Sequence, residues 1–329
     1  EKPTPNDTAA AQKHGLILVT HKLDEVLEVA DRALVLRGGR LVEEVPRAAF
    51  SARELAHALV GRTLVPVVRS PSSVPDSAPA LVVRDLWVQH EGVARVRGVS
   101  LAVKPGTIFG IAGVEGNGQS ELVSALCGWL PASRGSIEIA GHDLTSGSVR
   151  KRLAAGLSVI PEDRHRHGLI LDLSIVENLL LGPNERTRGG ALIEHGRLTR
   201  EAEILIRDYD VRPPDPSLPA RALSGGNQQK VVLGRALKGT GDKLPTLLIA
   251  AQPTRGVDIG AIDRIHRALL AARDSGCAIL LLSAELDELR ALSDRIAVLY
   301  RGAVVAELEN PESDPVSREK LGELLTGAA

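Results

Sequence analysis

Three observations in the sequence predict an α/β fold. Short, largely apolar runs such as "GTIFGIAG" (Gly106 to Gly113), "TLLIAA" (Thr246 to Ala251) and "AILLLSA" (Ala278 to Ala284) have the length and composition of buried strands. A glycine-rich turn, "GVEGNGQSEL" (Gly113 to Leu122), joins the first of these strands to a segment with helical spacing, "SELVSALCGWL" (Ser120 to Leu130). A strand, helix and hairpin pattern also occurs twice along the chain.

The repeat organises the reading. "LILVTHKLDEVLEVADRALVLRGGRLVEE" from Leu16 resembles "ILLLSAELDELRALSDRIAVLYRGAVVAE" from Ile279 at a constant offset of 263 residues. Leu23, Asp24 and Glu25 match Leu286, Asp287 and Glu288; Asp31-Arg32 matches Asp294-Arg295; Gly39 matches Gly302. Each copy predicts a buried strand, a polar turn, a helix, then a strand and a glycine hairpin. The tails agree too, "SARELAHALVG" ending at Gly61 and "SREKLGELLTG" ending at Gly327. Between the copies, "SPSSVPDSAP" (Ser70 to Pro79) is too rich in proline and serine to build a core and reads as a linker. The expected organisation is a remnant of a first domain over 1–69, a linker over 70–79 and one complete domain over 80–329. By the repeat, the first domain would extend about 200 residues further upstream.

Composition sets the outer limits. With 329 residues, 43% hydrophobic and 25% charged, the chain can bury a sizeable core in more than one folding unit. Lys plus Arg is 40 against Asp plus Glu 41, so no global field draws it to nucleic acid or an anionic membrane. The basic cluster "RHRHG" (Arg164 to Gly168) reads as a solvated loop. The longest apolar runs fall far short of the roughly 20 residues that span a bilayer, so a role at a membrane would come through a partner. Cys127 and Cys277 lie too far apart for a metal motif and read as small buried hydrophobes in a reducing compartment. No signal peptide pattern is present, which points to the cytoplasm. The absence of methionine and the opening "EKPTPNDTAAAQKHG" suggest a natural start further upstream.

In the complete domain, the glycine turn has the context of a phosphate-binding loop: a strand before it and a helix after it, whose first amides form an anion site. Gly113 and Gly118 occupy the glycine positions of G-x-x-x-x-G-K-[ST], Val114, Glu115, Gly116 and Asn117 lie between them, and Ser120 could place its hydroxyl on magnesium. Gln119 stands where the lysine is expected. The loop therefore keeps its amide cradle and loses the cation that reaches the β- and γ-phosphates. Taken alone, a structural glycine turn fits it as well. Further on, "LSGGNQQK" runs into a helix-like segment, so that Ser224 can cap the helix while Gly225 and Gly226 let a phosphate approach the backbone.

Here the chain resembles the ATP-binding cassette ATPases, and Leu223, Ser224, Gly225, Gly226, Asn227 and Gln228 resemble their signature motif. With "GVEGNGQSEL", "VIPEDR", "AAQPTRGVD" and the tandem repeat, it is most similar to the second half of the two-domain ATPases of bacterial ribose, galactose and nucleoside importers. The resemblance implies a P-loop NTPase cassette: a RecA-like core with an antiparallel β subdomain and a helical subdomain, plus the C-terminal part of a preceding cassette. It implies ATP and Mg2+ as ligands, transmembrane permease subunits as partners, an extracytoplasmic solute-binding protein as an indirect one, and a peripheral place at the inner face of the cell membrane.

Carried over by position, the resemblance also implies a degenerate site. Ala251 and Gln252 stand where the family has an aspartate for magnesium and a glutamate that orients water, and Ala284 where a histidine contacts the γ-phosphate. Glu162 takes the glutamine-loop position, His90 lies near the adenine-stacking aromatic or is a surface histidine, and Asp258 resembles an inter-domain loop aspartate or a solvated turn. Losing a general base costs about 10²–10⁴-fold and an electrostatic donor about 10²–10³-fold, so this pocket is expected to bind without cleaving. The first copy keeps His21 where the second has Ala284. In the head-to-tail dimer of the family, His21 would serve a competent composite site with the signature, one that also needs a phosphate loop and acidic strand from upstream. "SIVENLLLG" from Ser174 has the S-x-x-E capping pattern and starts either a permease-docking helix or a plain surface helix. The leading expectation is an importer ATPase subunit. The alternatives are a non-hydrolysing regulatory or vestigial fragment and, more weakly supported, a soluble cassette protein of repair or translation.

Overall fold

The structure, a computed structural model, describes residues 15–20, 23–37, 39–61, 67, 69–70, 74, 77–179, 181, 195–238 and 243–327. It divides into two compact units, Glu1–Val65 and Pro66–Ala329. That division falls a few residues ahead of the expected boundary at residue 69. Its physical reason is that residues 69 and 70 are tied to the second unit: the buried Arg69 donates to the Asn310 carbonyl, and the Ser70 carbonyl accepts from the buried Arg273.

The first unit contains α1 (Leu23–Val29), β1 (Arg32–Arg37), β2 (Arg40–Pro46) and α2 (Ala52–Val60). β1 and β2 form an antiparallel hairpin turning at Gly39, whose φ of +77° suits a residue without Cβ. α2 starts at Ser51, whose hydroxyl accepts from the Glu54 amide, and stops at Gly61 in the left-handed conformation. Val35, Val45, Leu55 and Ala58 make its small core. The strand expected at the start of this copy is not formed: residues 15–20 carry no ladder, and Leu16, Ile17 and Val19 are exposed. An apolar run becomes a strand only when a neighbour accepts its hydrogen bonds.

In the second unit, β3 (Leu81–His90) and β4 (Val93–Val103) lead into β5 (Ile108–Ala112) and α3 (Gln119–Cys127). Then come β6 (Arg134–Ile139), β7 (His142–Asp143), α4 (Val149–Ala154) and β8 (Leu157–Ile160). Helices α5 (Ile175–Asn178), α6 (His195–Tyr209) and α7 (Gly225–Lys238) follow, then β9 (Leu247–Ala251), α8 (Ile259–Asp274), β10 (Ala278–Ser283), α9 (Leu286–Leu292), β11 (Arg295–Tyr300), β12 (Ala303–Glu309) and α10 (Arg318–Thr326). α3 is shorter than the expected 120–130 because Gly128, at φ +80°, ends it.

Six strands form one sheet in the order β12-β11-β5-β10-β9-β8, parallel except for the β11–β12 hairpin; four form an antiparallel sheet in the order β4-β3-β6-β7. The central strands β5, β9 and β10 are buried along their whole length and almost entirely apolar, because both faces are covered. Ile108, Leu248, Ile279, Leu281 and Val298 face a core shared with the helices, while Phe109, Ile111, Ile249, Leu280 and Leu299 face one shared with α3 and the antiparallel sheet. The parallel strands thus deliver their C-terminal ends to one edge, where the glycine-rich turn begins.

Candidate nucleotide site

Every residue of β5 is buried, so the strand enters the turn at a fixed position. Two glycines of that turn have positive φ, Gly116 (+91°) and Gly118 (+98°). A Cβ on Gly118 would lie 2.3 Å from the Arg95 carbonyl oxygen, so only glycine fits; at Gly116 a Cβ would meet open space. Asn117 pins the loop to the β11–β12 hairpin: its Oδ1 accepts from the Arg301 amide at 3.1 Å, and its carbonyl from the Gly302 amide at 3.0 Å. Its Nδ2 is buried without a partner in a side chain only 8% exposed. Gly113, Gly118 and Gln119 are buried, whereas Val114, Glu115, Gly116 and Ser120 open to solvent. Gln119, the first residue of α3, folds back over Gly113, where a Cβ would meet its Nε2 at 2.3 Å. The side chain at the lysine position is therefore neutral and lies along the floor of the loop.

A chain of polar contacts crosses the mouth. The Ser120 hydroxyl donates to Glu162 Oε2 at 2.8 Å, Arg255 Nη1 donates to Glu162 Oε1 at 2.9 Å, and Arg255 Nη2 lies 3.7 Å from Glu115 Oε1. Pairs this exposed contribute about 0.2–1 kcal/mol each, so they exchange readily for a stronger ligand. Arg255 was not among the residues singled out from the sequence; the "TRGVD" segment that contains it was, but for Asp258. Asp258 N-caps α8 by accepting from the Ala261 amide at 2.9 Å, and it is exposed, so it is at once a cap and part of a solvated turn.

At the end of β9, Ala251 is buried and offers a methyl group. Gln252 has a φ of +48°, a left-handed conformation that costs a non-glycine residue about 1–3 kcal/mol. Its amide donates to the Leu282 carbonyl at 2.8 Å, and its Oε1 accepts from the Ala284 amide at 3.1 Å. Positions 252 and 284 therefore meet, as two parts of one site should, yet 251, 252 and 284 together present no carboxylate or imidazole to take a proton.

The signature segment is held differently. Leu223 is buried after a 3-10 turn (Ala220–Ala222), and Ser224 is exposed immediately before α7. The Ser224 carbonyl accepts from the Gln228 amide at 2.9 Å, and its hydroxyl from Asn227 Nδ2 at 2.9 Å. A Cβ on Gly225 would fall 2.6 Å from Arg164 Nη2, and one on Gly226 2.7 Å from Asp258 Oδ2. Behind them Gln228 donates to the Ala220 carbonyl at 3.0 Å, accepts from Arg164 Nε at 3.3 Å and lies 2.8 Å from His165 Nε2. Lys230 reaches the Asp210 carbonyl at 2.8 Å and Asn227 Oδ1 at 3.2 Å, and burial pulls its pKa below the usual lysine value.

The reading of Arg164 to Gly168 as a solvated loop holds for His165, Arg166 and His167, which are exposed, while Arg164 is half-buried against the signature segment. The segment is a π-helical turn capped by Asp163, which accepts from the His165 and Arg166 amides. The Arg166 amide is the main reason that the Asp163 carboxyl sits below its ordinary range, and burial lowers the Arg164 guanidinium. His167 stacks on Trp129 with centroids 5.1 Å apart. Ser174 and Glu177 form the expected capping box at the start of α5. His90 is exposed at the end of β3, and His21 lies outside the described residues.

A nucleotide fits the loop: the cradle is open at Gly116, and Asn117 Nδ2 is a buried donor without a partner. For Mg2+ the adjacent oxygens of Ser120 and Glu162 are suitable, and among the described residues no cluster of three His, Cys, Asp or Glu could hold a metal alone. Such an ion would come with the phosphates, as magnesium commonly does.

A glycine loop at the C-terminal edge of a mainly parallel sheet, an antiparallel sheet on one side and a signature-bearing helix among helices on the other define an ATP-binding cassette. In particular, residues 96–254 match the model of the ABC transporter family. Among curated proteins, the chain is 43% identical over 303 residues to the guanosine import ATP-binding protein NupO of Bacillus subtilis (strain 168), covering 91% of this chain and 58% of that protein. It is 38% identical over 315 residues to the nucleoside import ATP-binding protein NupA of Lactococcus lactis subsp. cremoris (strain MG1363), covering 95% and 61%. It is 35% identical over 312 residues to the ribose import ATP-binding protein RbsA of Yersinia pestis, covering 95% and 59%. The chain thus spans about three fifths of the length of these relatives. A solved ATP-binding subunit of an ABC transporter superposes with a TM-score of 0.61 at 24% identity, covering 75% of this chain and 99% of that one, a likeness of fold. No described helix is long and apolar enough to cross a membrane.

Proposed function

We propose that this chain is the ATP-binding part of an importer for nucleosides or sugars, and that its own pocket holds Mg2+–ATP without cleaving it. Its partners are then transmembrane permease subunits at the inner face of the membrane and, through them, a solute-binding protein outside. The relatives that import guanosine, nucleosides and ribose support the solute class.

The observation that carries the non-cleaving reading is the contrast within one site. An open amide cradle with Ser120 and Glu162 beside it stands next to Ala251, Gln252 and Ala284, which supply no proton acceptor. The loop amides of Gly113, Val114, Glu115, Gly116, Asn117 and Gly118 bind the phosphates, while Gln119 adds polarity without charge. A bound ion contributes neutralisation of phosphate charge. Leu223 to Gln228 present the exposed Ser224 to a nucleotide seated in a second cassette, where cleavage occurs.

Equilibrium binding and turnover on the purified chain test this reading. Magnesium-dependent ATP binding is expected together with turnover at the level of a Ser224→Ala control. Turnover by this chain well above that control overturns it.

A further inference from the structure

The phosphate loop has no cation at Gln119, yet a triphosphate brings several negative charges into a mouth already carrying Glu115 and Glu162. A bound Mg2+ would offset part of that charge, and a cation of the protein would offset more of it. Two other arginines lie near the loop. Arg95 lies beneath it, with its carbonyl against Gly118 and its side chain 40% exposed, 3.9 Å from Glu121. Arg301 lays its guanidinium over the Tyr300 ring, 5.2 Å from the centroid.

Arg255 is different. Its side chain is 55% exposed and joined to two carboxylates of the mouth, one of them the acceptor of the Ser120 hydroxyl. Its backbone is fixed: its amide donates to the Gln252 carbonyl at 3.1 Å, its carbonyl accepts from Arg164 Nη1 at 3.1 Å, and Gly256 turns the chain at φ +67°. A short turn held by main-chain bonds thus presents an exposed guanidinium to the place where phosphate oxygens would lie between Ser120 and Glu115.

We propose that Arg255 is the phosphate-binding cation of this pocket, supplying from the β9–α8 turn the charge that Gln119 does not supply from the loop. The inference rests on the nucleotide-binding reading above. On binding, the guanidinium keeps Glu162 and exchanges the long, exposed contact with Glu115 for phosphate oxygens. Because the guanidinium is planar and forked, it can hold both partners at once.

The test is calorimetric titration of the chain with ATP, ADP and adenosine, each with Mg2+. Arg255→Ala is expected to weaken ATP by about 10–100-fold, the effect of one charged hydrogen-bonded contact, and adenosine by less than about 2-fold. Gln119→Lys in the Arg255→Ala background is expected to recover about tenfold of the lost ATP affinity, because it returns the charge from the other side. Unchanged thermal melting of Arg255→Ala would confirm that the turn survives; its main-chain bonds do not involve the side chain. Wild-type ATP affinity in Arg255→Ala, equal weakening of ATP and adenosine, or failure of the lysine to rescue overturns the assignment while leaving nucleotide binding intact. A wild-type chain that binds no ATP overturns the functional reading and this assignment together.

Discussion

The phosphate loop and the signature loop are both glycine turns that start a helix, and they differ in chemistry far more than in backbone. At Gly118 and at Gly225 to Gly226 a Cβ would strike a neighbour, so each backbone is closely confined. The first loop carries a neutral glutamine folded onto its own floor and adjoins positions without an acid or base. The second retains its whole motif with Ser224 exposed. One turn serves both: Arg255 reaches the carboxylates at the phosphate loop, while the Gly256 carbonyl and Asp258 wall the signature glycines. Side-chain chemistry at the first loop is therefore independent of the backbone scaffold that aims the second. The two faces are separable by mutation.

The largest effect is expected at Gly118→Ala, which adds a left-handed penalty and a contact of 2.3 Å with the Arg95 carbonyl. ATP affinity should fall by more than about 100-fold in calorimetry, at the full 1–3 kcal/mol of strain plus loss of the cradle. Next, Ser224→Ala should lower ATP consumption of the complete importer by about 100-fold, the cost of one electrostatic donor, while changing this chain's own ATP affinity by less than about 2-fold. A parallel loss of binding would break the separation. Gln119→Lys should raise ATP affinity about tenfold and leave the turnover of the isolated chain at background, because charge returns without a base. Turnover appearing in that variant would show that the missing lysine was the sole defect.

Smaller effects sharpen the supports behind each loop. Asp210 stands behind the signature helix, contacting Arg212 at 2.8 Å and Arg264 at 2.7 Å, with its carbonyl on Lys230. Burial raises its pKa, but the Arg212 hydrogen bond and the charges of Arg264 and Lys230 hold it below 3.8 overall. A folded pKa lowered in this way gives stability that is present above 3.8 and lost as pH falls through the folded value. Asp210→Asn should flatten the acid limb of a urea-melting series below pH 4, the midpoint at neutral pH falling slightly. Behind the phosphate loop, Cys127 at the end of α3 is buried and its thiol pushed up to about 12, as is Cys277 beside β10. Both should resist alkylation at about pH 8 in the folded chain and react after unfolding, since the thiolate is the reactive form.

Motifs that act over a few residues were legible in the sequence. The strand, glycine turn and helix of the phosphate loop, the capping box at Ser174 and Glu177, and the helix after Ser224 depend on local spacing, and the fold class followed from them. Arg255 and the Arg164–Gln228 contact were not legible. Their partners lie 93 and 64 residues away, beyond the reach of any local pattern. The resemblance put Gln252 and Ala284 at one site, but neither the hydrogen bond between them nor the left-handed backbone at Gln252 was anticipated.

The two copies of the repeat separate the levels most clearly. Sequence alone determined a hairpin in each, even with the same register shift, between Val35 and Leu36 in one and Val298 and Leu299 in the other. Tertiary structure decided what those strands do: Leu299 is 0% exposed and its counterpart Leu36 is 65% exposed. β11 is flanked by β5 and covered by a core, whereas among the described residues β1 pairs with β2 alone. Turn glycines and alternating side chains suffice to bend a chain into two strands, but removing an apolar residue from water takes atoms contributed by distant parts of the chain, and no local pattern encodes whether they are there.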